Sequence, residues 1–462
     1  MRILHYTLGL PPYRSGGLTK YSLDLMKEQC KNGEEVYLLY PGKMNISSHT
    51  KIKKNKNQGR IAVFELINPL PVSLLGGVSK PTLFTKKLGN SDVYKEFLDS
   101  VGPDVIHIHT LMGIHKEFFE VAKSKNIKVI FTSHDYYPLC PKVNLIDTKG
   151  NPCEDFDNGN KCIKCNINAY SPALIYFMQS YLYRNLKSSR LMKKLRKSKK
   201  QKMDNIKEEH VDIDVPNTKG NKLATEFIDL RNYYISILDM VDEIHFNSEV
   251  AKEEYERHLK TDNKVLPVTH SSIKDNRRLK KYSENQPLQI GFLGPLERYK
   301  GFPLLRESLL RLLSQSQNNW HLHLYGNDRV VDCEGFGNHF TFHGRYEHSE
   351  LKNIFSKIDV LVIPSIWKET FGFIGLEALS HGVPSIVSST VGFKDIIKHN
   401  ETGVIVQSDN IKELVAVIDE MIVNRKKLQL LNKNICSLQF ENTINLHAYS
   451  ISEIYVDIPG EN

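Results

Sequence analysis

The chain has 462 residues, of which 62 are lysine or arginine and 53 are aspartate or glutamate, giving a formal net charge of +9. Hydrophobic residues make up 40% and charged residues 25% of the sequence, which is ordinary usage for a globular protein. These proportions exclude a collagen-like chain, a fully disordered chain and a small disulfide scaffold, and the length predicts two or three domains.

The first thirteen residues, MRILHYTLGLPPY, resemble a first buried strand more than a signal peptide. No window approaches the roughly 18–20 consecutive apolar residues that a membrane-spanning helix needs. We therefore expect a cytoplasmic protein that is soluble or sits peripherally at the inner face of the cell membrane.

Short apolar runs alternate with amphipathic segments in both halves of the chain, and this alternation predicts α/β domains built on parallel sheets. In the first half the predicted strands lie at 2–7, 35–40, 104–109 and 128–134, and the predicted helices at 18–32 and 116–126. Segment 43–100 is less regular. In the second half the predicted strands lie at 288–294, 321–326, 340–345, 359–365 and 383–389. The predicted helices lie at 303–315, 349–357 and 411–424, and a further helix contains 376–380.

This pattern predicts two Rossmann-like domains, 1–270 and 287–440, joined by a polar linker near 266–286, with a terminal helix at about 441–462. A basic insertion interrupts the first domain at about 184–225. Its segment 184–207 holds eleven lysines and arginines against one aspartate, so that this segment alone carries +10 and the remainder of the chain is near neutral.

The strongest chemical signal is the stretch KETFGFIGLEALSHGVPSIVSSTVGFKDIIKHNETGVIV at 368–406. Glu369 should lie in a loop after a buried strand, and Glu377 in a helix that begins near Phe373. Glycine in such a loop allows a ligand to approach the backbone, and amides at a helix start favour a phosphate. Glu377 could accept hydrogen bonds from a ribose, and Glu369 could reach a sugar beside the phosphates.

This stretch resembles the signature of the retaining family-4 glycosyltransferases, which have the two-domain GT-B fold with the domains facing across a cleft. The positions that match the family pattern are Glu369, Phe371, Gly372, Glu377, Ala378, Gly382, Pro384, Gly392 and Gly403. The resemblance implies that the C-terminal domain binds a nucleoside diphosphate sugar, that Glu377 binds the ribose and that Glu369 contacts the donor sugar. It also places Phe371, Gly372 and Phe373 at the donor.

The segment GFLGPLERYKGFPLL at 291–305 resembles the family's glycine loop and Lys-Gly segment, with Gly294 in the loop and Lys300 as a diphosphate contact. A cation suits this position because two phosphates must be neutralised. The family's arginine after the loop glycine is replaced here by Pro295, and Arg298 is a candidate substitute from the same loop.

On the N-terminal side, Gly16 and Gly17 resemble the family's glycine-rich loop after the first strand, whose amides would meet the donor phosphates or the acceptor. His109, His134 and Asp135 follow predicted strands, at the sheet edge where open α/β sheets bind ligands. The resemblance places His134 on the acceptor side, where we predict a catalytic role for it, and the terminal helix is expected to cross back to the first domain.

Four of the seven cysteines, Cys140, Cys153, Cys162 and Cys165, lie within 26 residues, and the last two form a Cys-x2-Cys pair. This spacing is typical of a structural zinc site, although free thiols and redox disulfides remain alternatives. No open metal site for catalysis is expected, and the resemblance implies that the reaction requires no cofactor.

The basic run follows ALIYFMQSYLY at 173–183, which is rich in aromatic and aliphatic residues. Together, residues 173–207 predict either a solvated insertion or a segment that binds an anionic membrane surface. Nucleic-acid binding is not expected, because no reading motif accompanies the charge.

The resemblance implies a retaining glycosyltransferase acting on a glycan or lipid-linked acceptor, in cell-surface polysaccharide or glycoconjugate synthesis. The alternatives are a nucleotide-sugar epimerase of the same fold and a non-catalytic, glycosyltransferase-like partner subunit.

Overall fold

The computed structural model of the protein describes residues 1–45, 49–187, 217–260, 263–326 and 335–456. The chain divides into two compact units. The N-terminal unit consists of Met1–Asn144, Cys153–Ile244 and Tyr455–Asn462, and the C-terminal unit of Leu145–Pro152 and His245–Ile454. Residues 245–270, which the sequence pattern assigns to the first domain, therefore group with the C-terminal unit. Most of the basic insertion, residues 188–216, lies outside the described part of the chain.

The N-terminal unit is built on a seven-stranded sheet with the order β3-β4-β2-β1-β5-β6-β7. Its strands are β1 (Arg2–Tyr6), β2 (Glu35–Pro41), β3 (Lys51–Lys54), β4 (Ala62–Ile67), β5 (Val105–Ile108), β6 (Lys128–Thr132) and β7 (Glu243–His245). The pairs that join β4, β2, β1, β5 and β6 are parallel, whereas β3 runs antiparallel to β4. The central strands are buried on both faces, which explains their continuous apolar sequences.

Helices connect these strands and cover the sheet. They are α1 (Gly17–Lys31), α2 (Asp92–Val101), α3 (Lys116–Ser124), α4 (Asn160–Cys165), α5 (Pro172–Met178), α6 (Tyr181–Leu186) and α7 (Asn217–Leu238). In α1 the buried side chains Leu23, Met26 and Cys30 recur at helical spacing and pack on β2 and β4.

The C-terminal unit is built on a six-stranded sheet of parallel strands, in the order β10-β9-β8-β11-β12-β13. Its strands are β8 (Leu288–Leu293), β9 (Trp320–Tyr325), β10 (Phe340–Gly344), β11 (Val360–Ile363), β12 (Ser385–Ser388) and β13 (Gly403–Val406). Its helices are α8 (Glu249–Glu256), α9 (Phe302–Ser314), α10 (Leu351–Lys357), α11 (Phe373–Leu379), α12 (Ile411–Val423) and α13 (Arg425–Ser437). The alternation predicted from 288 onward is thus confirmed element by element.

The last helix, α14 (Ile444–Val456), belongs to both units, because the boundary falls between Ile454 and Tyr455. The Tyr455 hydroxyl is buried in the N-terminal unit, where it lies 3.0 Å from Nε2 of Gln29 and 2.7 Å from Nδ1 of His107. Among the described residues, no helix combines the length and the apolar character that spanning a membrane requires.

Candidate functional site

The loop between β11 and α11 positions Glu369. Its backbone N–H donates to the carbonyl of Thr390 at 2.9 Å, and its carbonyl accepts from the N–H of Gly392 at 3.0 Å. These two bonds form a short parallel bridge between Glu369 and Val391. The Glu369 side chain is buried, and these two backbone bonds fix the position of the residue that carries the carboxylate.

Lys300 and Ser365 both bind the Glu369 carboxylate. The Lys300 ammonium lies 2.8 Å from Oε1 of Glu369, and the Ser365 hydroxyl donates to the same oxygen. Nζ of Lys300 also lies 5.1 Å from the centre of the Trp367 ring, which gives the cation an aromatic face. A cation, a carboxylate and a hydroxyl that lie far apart in the sequence therefore meet at one point.

The glycine after Lys300 is required by the backbone. Gly301 has φ of 76°, and a Cβ at this position would lie 1.8 Å from the carbonyl oxygen of Pro364. No other residue fits this turn without moving the β11 loop. The Lys-Gly pair identified in the sequence thus has a structural reason: the glycine lets the Lys300 turn pack directly on the loop that leads to Glu369.

Helix α11 begins at Phe373, as predicted, and Gly372 precedes it with φ of 97°. The Phe371 ring is buried and lies 5.4 Å from the Phe373 ring. Glu377 is buried in the second turn, where its Oε1 lies 3.3 Å from Nε2 of His270 and 3.2 Å from Nδ1 of His348.

Potential metal ligands are His270, His348 and Glu377, whose ligand atoms lie within 4.8 Å of one another. They form one of two such groups of three among the described residues. The backbone N–H of Ser272 donates to Nδ1 of His270 at 3.3 Å. Since a neutral imidazole has one donor and one acceptor nitrogen, Nε2 of His270 carries the proton and donates it to Glu377. In this arrangement the Glu377 carboxylate accepts a hydrogen bond from His270.

Two further predicted donor residues, Arg298 and Gly294, lie in the C-terminal unit. Arg298 extends from the turn before Lys300, and its Nη2 donates to the side-chain oxygen of Asn151 at 3.2 Å. Gly294 follows β8 with φ of 151°, and nothing lies within 4 Å of the position that a Cβ would occupy. That open space suits a loop that a ligand approaches closely.

In the N-terminal unit, Gly16 has φ of 127° and precedes Gly17, the first residue of α1. His109 and His134 follow the adjacent parallel strands β5 and β6, and Nδ1 of His109 lies 3.2 Å from Nε2 of His134. The Tyr21 ring lies edge-on to His134 at 4.8 Å. The structure thus brings the two predicted acceptor-side histidines into direct contact.

Asp135 follows His134, and burial raises the pKa of its carboxyl group to about 6 although it accepts a 2.9 Å hydrogen bond from the N–H of Tyr137. This carboxyl group is therefore partly protonated near neutral pH, unlike an exposed aspartate.

The four clustered cysteines all belong to the N-terminal unit, and none of them is paired in a disulfide. Cys162 and Cys165 lie on α4, and burial, with a smaller contribution from Cys140, raises the pKa of Cys162 to about 11 and that of Cys165 to about 12. Neither group of close potential metal ligands in the described part of the chain includes a cysteine.

Helices α5 and α6 expose large apolar side chains. Tyr181 is 65% and Leu182 59% exposed, and Tyr176, Phe177 and Leu186 are exposed as well. Arg184 on α6 forms a 2.6 Å ion pair with Glu65, and its guanidinium stacks on the Tyr13 ring. Most of these exposed apolar side chains therefore lie directly before the basic run in the sequence.

The sequence reasoning missed His270 and His348. His270 lies in the segment taken as a linker, and His348 in a polar turn, so no local pattern marked either residue. Only the fold brings them to Glu377.

Comparison with known proteins places this geometry in context. Residues 274–436 match the family model described as glycosyl transferases group 1. An uncharacterized glycosyltransferase of Methanocaldococcus jannaschii is 30% identical over 174 residues, which cover 34% of this chain and 44% of that protein. The lipopolysaccharide core biosynthesis mannosyltransferase LpsB of Rhizobium meliloti is 25% identical over 182 residues, covering 36% and 50%. The chain thus matches about half the length of these relatives.

Among solved structures, Anabaena HepE in complex with UDP superposes with a TM-score of 0.53 and 13% identity, covering 98% of this chain and 99% of that one. Similarity at this level shows the fold. The chain therefore has the GT-B fold, with two Rossmann-like units, and its residues 274–436 are similar to the glycosyl transferases group 1 family. The fold agrees with the one predicted from the sequence.

Proposed function

We propose that the protein is a retaining glycosyltransferase that moves a hexose-type sugar from a nucleoside diphosphate donor to a hydroxyl group of a glycan or lipid-linked glycan. The observation that carries this proposal is the contact of Lys300 with Glu369 in the matched domain, near the helix that bears Glu377. The mannosyltransferase LpsB and the UDP complex of HepE support a sugar donor of this class.

Lys300 would bind the diphosphate. Its ammonium is only partly exposed and is held by Glu369, so it is in position before the donor arrives. In the transition state, negative charge grows on the departing diphosphate, and a fixed cation stabilises that charge more than it stabilises the bound donor. Arg298 and the open loop at Gly294 would add to the same binding surface.

Glu369 would contact the donor sugar. Its Oε1 already accepts from Lys300 and Ser365, which fixes the plane of the carboxylate. A carboxylate fixed in this way can accept hydrogen bonds from sugar hydroxyls without first being ordered. Phe371, Gly372 and Phe373 would line the donor on the helix side.

Glu377 would bind the ribose. The N–H of His270 donates to its Oε1 and thereby orients the carboxylate toward two hydroxyl groups. This role would account for the presence of a carboxylate at a buried position of α11.

The N-terminal unit would bind the acceptor near His134, His109, Asp135 and the Gly16–Gly17 loop. We assign no protein general base, because in a retaining reaction of this type the acceptor attacks on the face from which the diphosphate leaves. The leaving phosphate is then placed to take the acceptor proton. No metal or organic cofactor is part of this proposal for catalysis.

We also propose that residues 173–207 bind an anionic membrane surface, which would bring the enzyme to a lipid-linked acceptor at the inner face of the cell membrane. The exposed apolar face of α5 and α6 would enter the headgroup region, and each nearby basic residue would add about 1 kcal/mol. The four clustered cysteines are proposed to hold one structural zinc ion.

Donor binding measured by calorimetry across uridine, guanosine and adenosine diphosphate sugars tests the proposal. One nucleotide should bind most tightly. Its sugar should be released or transferred with the configuration of the anomeric carbon and of the other ring carbons unchanged. Conversion of the donor into another nucleotide sugar without an acceptor would instead indicate an epimerase. Binding without turnover would indicate a partner subunit.

A further inference from the structure

A continuous chain of hydrogen bonds runs through the core of the N-terminal unit and ends at His134. Nδ1 of His109 lies 3.2 Å from Nε2 of His134, and Nε2 of His109 lies 3.0 Å from Nδ1 of His5. Nε2 of His5 lies 2.8 Å from Oε1 of Gln29. The His5 and His109 rings are stacked 5.3 Å apart, and both side chains are almost completely buried.

The chain continues beyond Gln29. Nε2 of Gln29 donates to the Tyr455 hydroxyl at 3.0 Å, that hydroxyl lies 2.7 Å from Nδ1 of His107, and Nε2 of His107 lies 2.6 Å from the Thr132 hydroxyl. Every ring nitrogen of His5, His107 and His109 is thus engaged in a hydrogen bond. These three histidines form the second group of potential metal ligands, and their nitrogens are already occupied by one another and by the chain.

The direction of the chain follows from the amide of Gln29. Its oxygen accepts, so Nε2 of His5 is the donor and, in the neutral ring, Nδ1 of His5 is an acceptor. Nε2 of His109 therefore donates to His5, and Nδ1 of His109 accepts from Nε2 of His134. Each ring determines the proton position of the next, and the chain as a whole determines that of His134.

The His5 ring inside the chain stays neutral at physiological pH. Burial lowers the pKa of His5 to about 3, although the Gln29 oxygen partly offsets this effect. A doubly protonated ring has two donors and no acceptor, so it would interrupt the chain, and burial removes this possibility.

We propose that His5 and His109 are positioning residues that keep a proton on Nε2 of His134 and fix the orientation of this ring toward a sugar hydroxyl. The sugar part rests on the proposed function, whereas the state of the ring does not. Gln29 and Tyr455 hold the far end of the chain, which ties the terminal helix to the same network.

Substitutions at His109 separate this role from simple packing. In His109→Gln, the amide oxygen can accept from His134 and the amide nitrogen can donate to His5, so the direction of the chain is preserved. In His109→Leu, both bonds are lost. The matched control is His115→Leu, because His115 is also buried in this unit and bonds to the Tyr94 hydroxyl at 2.7 Å outside the chain.

The first measurement is long-range ¹H–¹⁵N NMR of the histidine rings in the full-length protein, which reports the protonated nitrogen without any substrate. Wild type, His109→Gln and His115→Leu should show His134 protonated at Nε2, and His109→Leu should show a mixture of tautomers. A wild-type His134 protonated only at Nδ1, or a single unchanged tautomer in His109→Leu, would overturn the proposal. Because wild type alone can give the first of these results, the test does not depend on the variant folding.

The second measurement is steady-state transfer. His109→Leu should raise the acceptor KM about tenfold, the loss expected for a misdirected hydrogen bond, with the donor KM unchanged and with recovery in His109→Gln. An unchanged acceptor KM in a folded His109→Leu variant would contradict the positioning role. If the protein transfers no sugar at all, the proposed function fails, and the NMR result still decides the state of His134.

Discussion

The ammonium of Lys300 lies 2.8 Å from Oε1 of Glu369, although 69 residues separate them in the sequence. The carboxylate is buried, so this contact compensates a charge that would otherwise be costly to remove from water. It also places a cation on a short turn whose glycine packs against the β11 loop. The pair therefore keeps a positive charge in position for an anionic ligand.

Replacing Lys300 by methionine should weaken the binding of a nucleoside diphosphate by about tenfold to a hundredfold, because a charge-assisted contact is lost. Binding of the corresponding nucleoside, which has no phosphates, should be unchanged. Calorimetry with both ligands measures the difference. Lys412→Met, which alters an exposed lysine on α12, is the control. Equal losses for both ligands would show that Lys300 supports the fold rather than the phosphates.

Replacing Glu377 by alanine should weaken nucleoside diphosphate binding by about tenfold or more, because the ribose hydroxyls lose a charged acceptor. The 2′,3′-dideoxy form of the same nucleotide lacks these hydroxyls and should bind equally to both proteins. His270→Phe should give a smaller loss with the same dependence on the ribose, since His270 acts through Glu377. A penalty that persists with the dideoxy ligand would remove the ribose role of Glu377.

The double variant Tyr181→Ser, Leu182→Ser should reduce binding to vesicles of phosphatidylglycerol several-fold, because two exposed apolar side chains are lost. Flotation of the full-length protein at low salt measures this. Leu430→Ser, at a half-exposed leucine of the C-terminal unit, is the control. Glutamine at the lysines of 193–202 should reduce binding to anionic vesicles, and wild-type protein that never floats would contradict both expectations.

Elemental analysis of protein purified without chelators should find about one zinc per chain, held by Cys140, Cys153, Cys162 and Cys165. Cys162→Ser should lose the metal, whereas Cys436→Ser in the C-terminal unit should keep it. The raised pKa of Cys162 and Cys165 means that metal binding must displace protons, so zinc should be lost as the pH falls. Stable protein without metal would leave the free-thiol interpretation.

The stability of the N-terminal unit should rise with pH between about pH 4 and 6. Burial lowers the pKa of His5 to about 3 and that of His115 to about 4, so both rings gain a proton on unfolding in this range. Asp135, with its pKa raised to about 6, loses one. Unfolding therefore takes up one net proton, which corresponds to about 1.4 kcal/mol per pH unit.

Urea unfolding at several pH values measures this slope. His115→Gln removes one of the two histidines and should flatten it toward zero, whereas the exposed His399→Gln should leave it unchanged. Stability that rises as the pH falls from 6 to 4 would contradict the assignment, because it would require the folded state to bind the extra protons.

Much of the fold could be predicted from the sequence because buried parallel strands are short apolar runs, as in β1, β5 and β11. Segment 43–100 could not, since β3 consists of KIKK at the sheet edge, where pairing depends on β4 and not on apolar side chains. The helix start at Phe373 could be predicted because its signals, the preceding glycine and the helical pattern that follows, lie within a few residues of it.

The candidate site was only partly predictable for a similar reason. The loop and helix-start pattern at 368–406 marks Glu369 and Glu377, and the family resemblance adds the role of Lys300, because it carries information that local patterns lack. The partners of Glu377 lie more than a hundred residues before it, at His270, and on a polar turn at His348, so only the tertiary structure brings them together. The hydrogen-bond chain through His5 and Gln29 depends on register across the sheet, which the sequence pattern does not encode.

The release of nucleoside diphosphate from the preferred donor, in the presence of acceptor, tests the central claim most directly. Lys300→Ala and Glu369→Ala should each lower the turnover by about a hundredfold or more, because charge stabilisation in the transition state and contact with the sugar are lost. Lys412→Ala should turn over the donor at the wild-type rate. Full activity in both Lys300→Ala and Glu369→Ala would contradict the assignment of the reaction to this site.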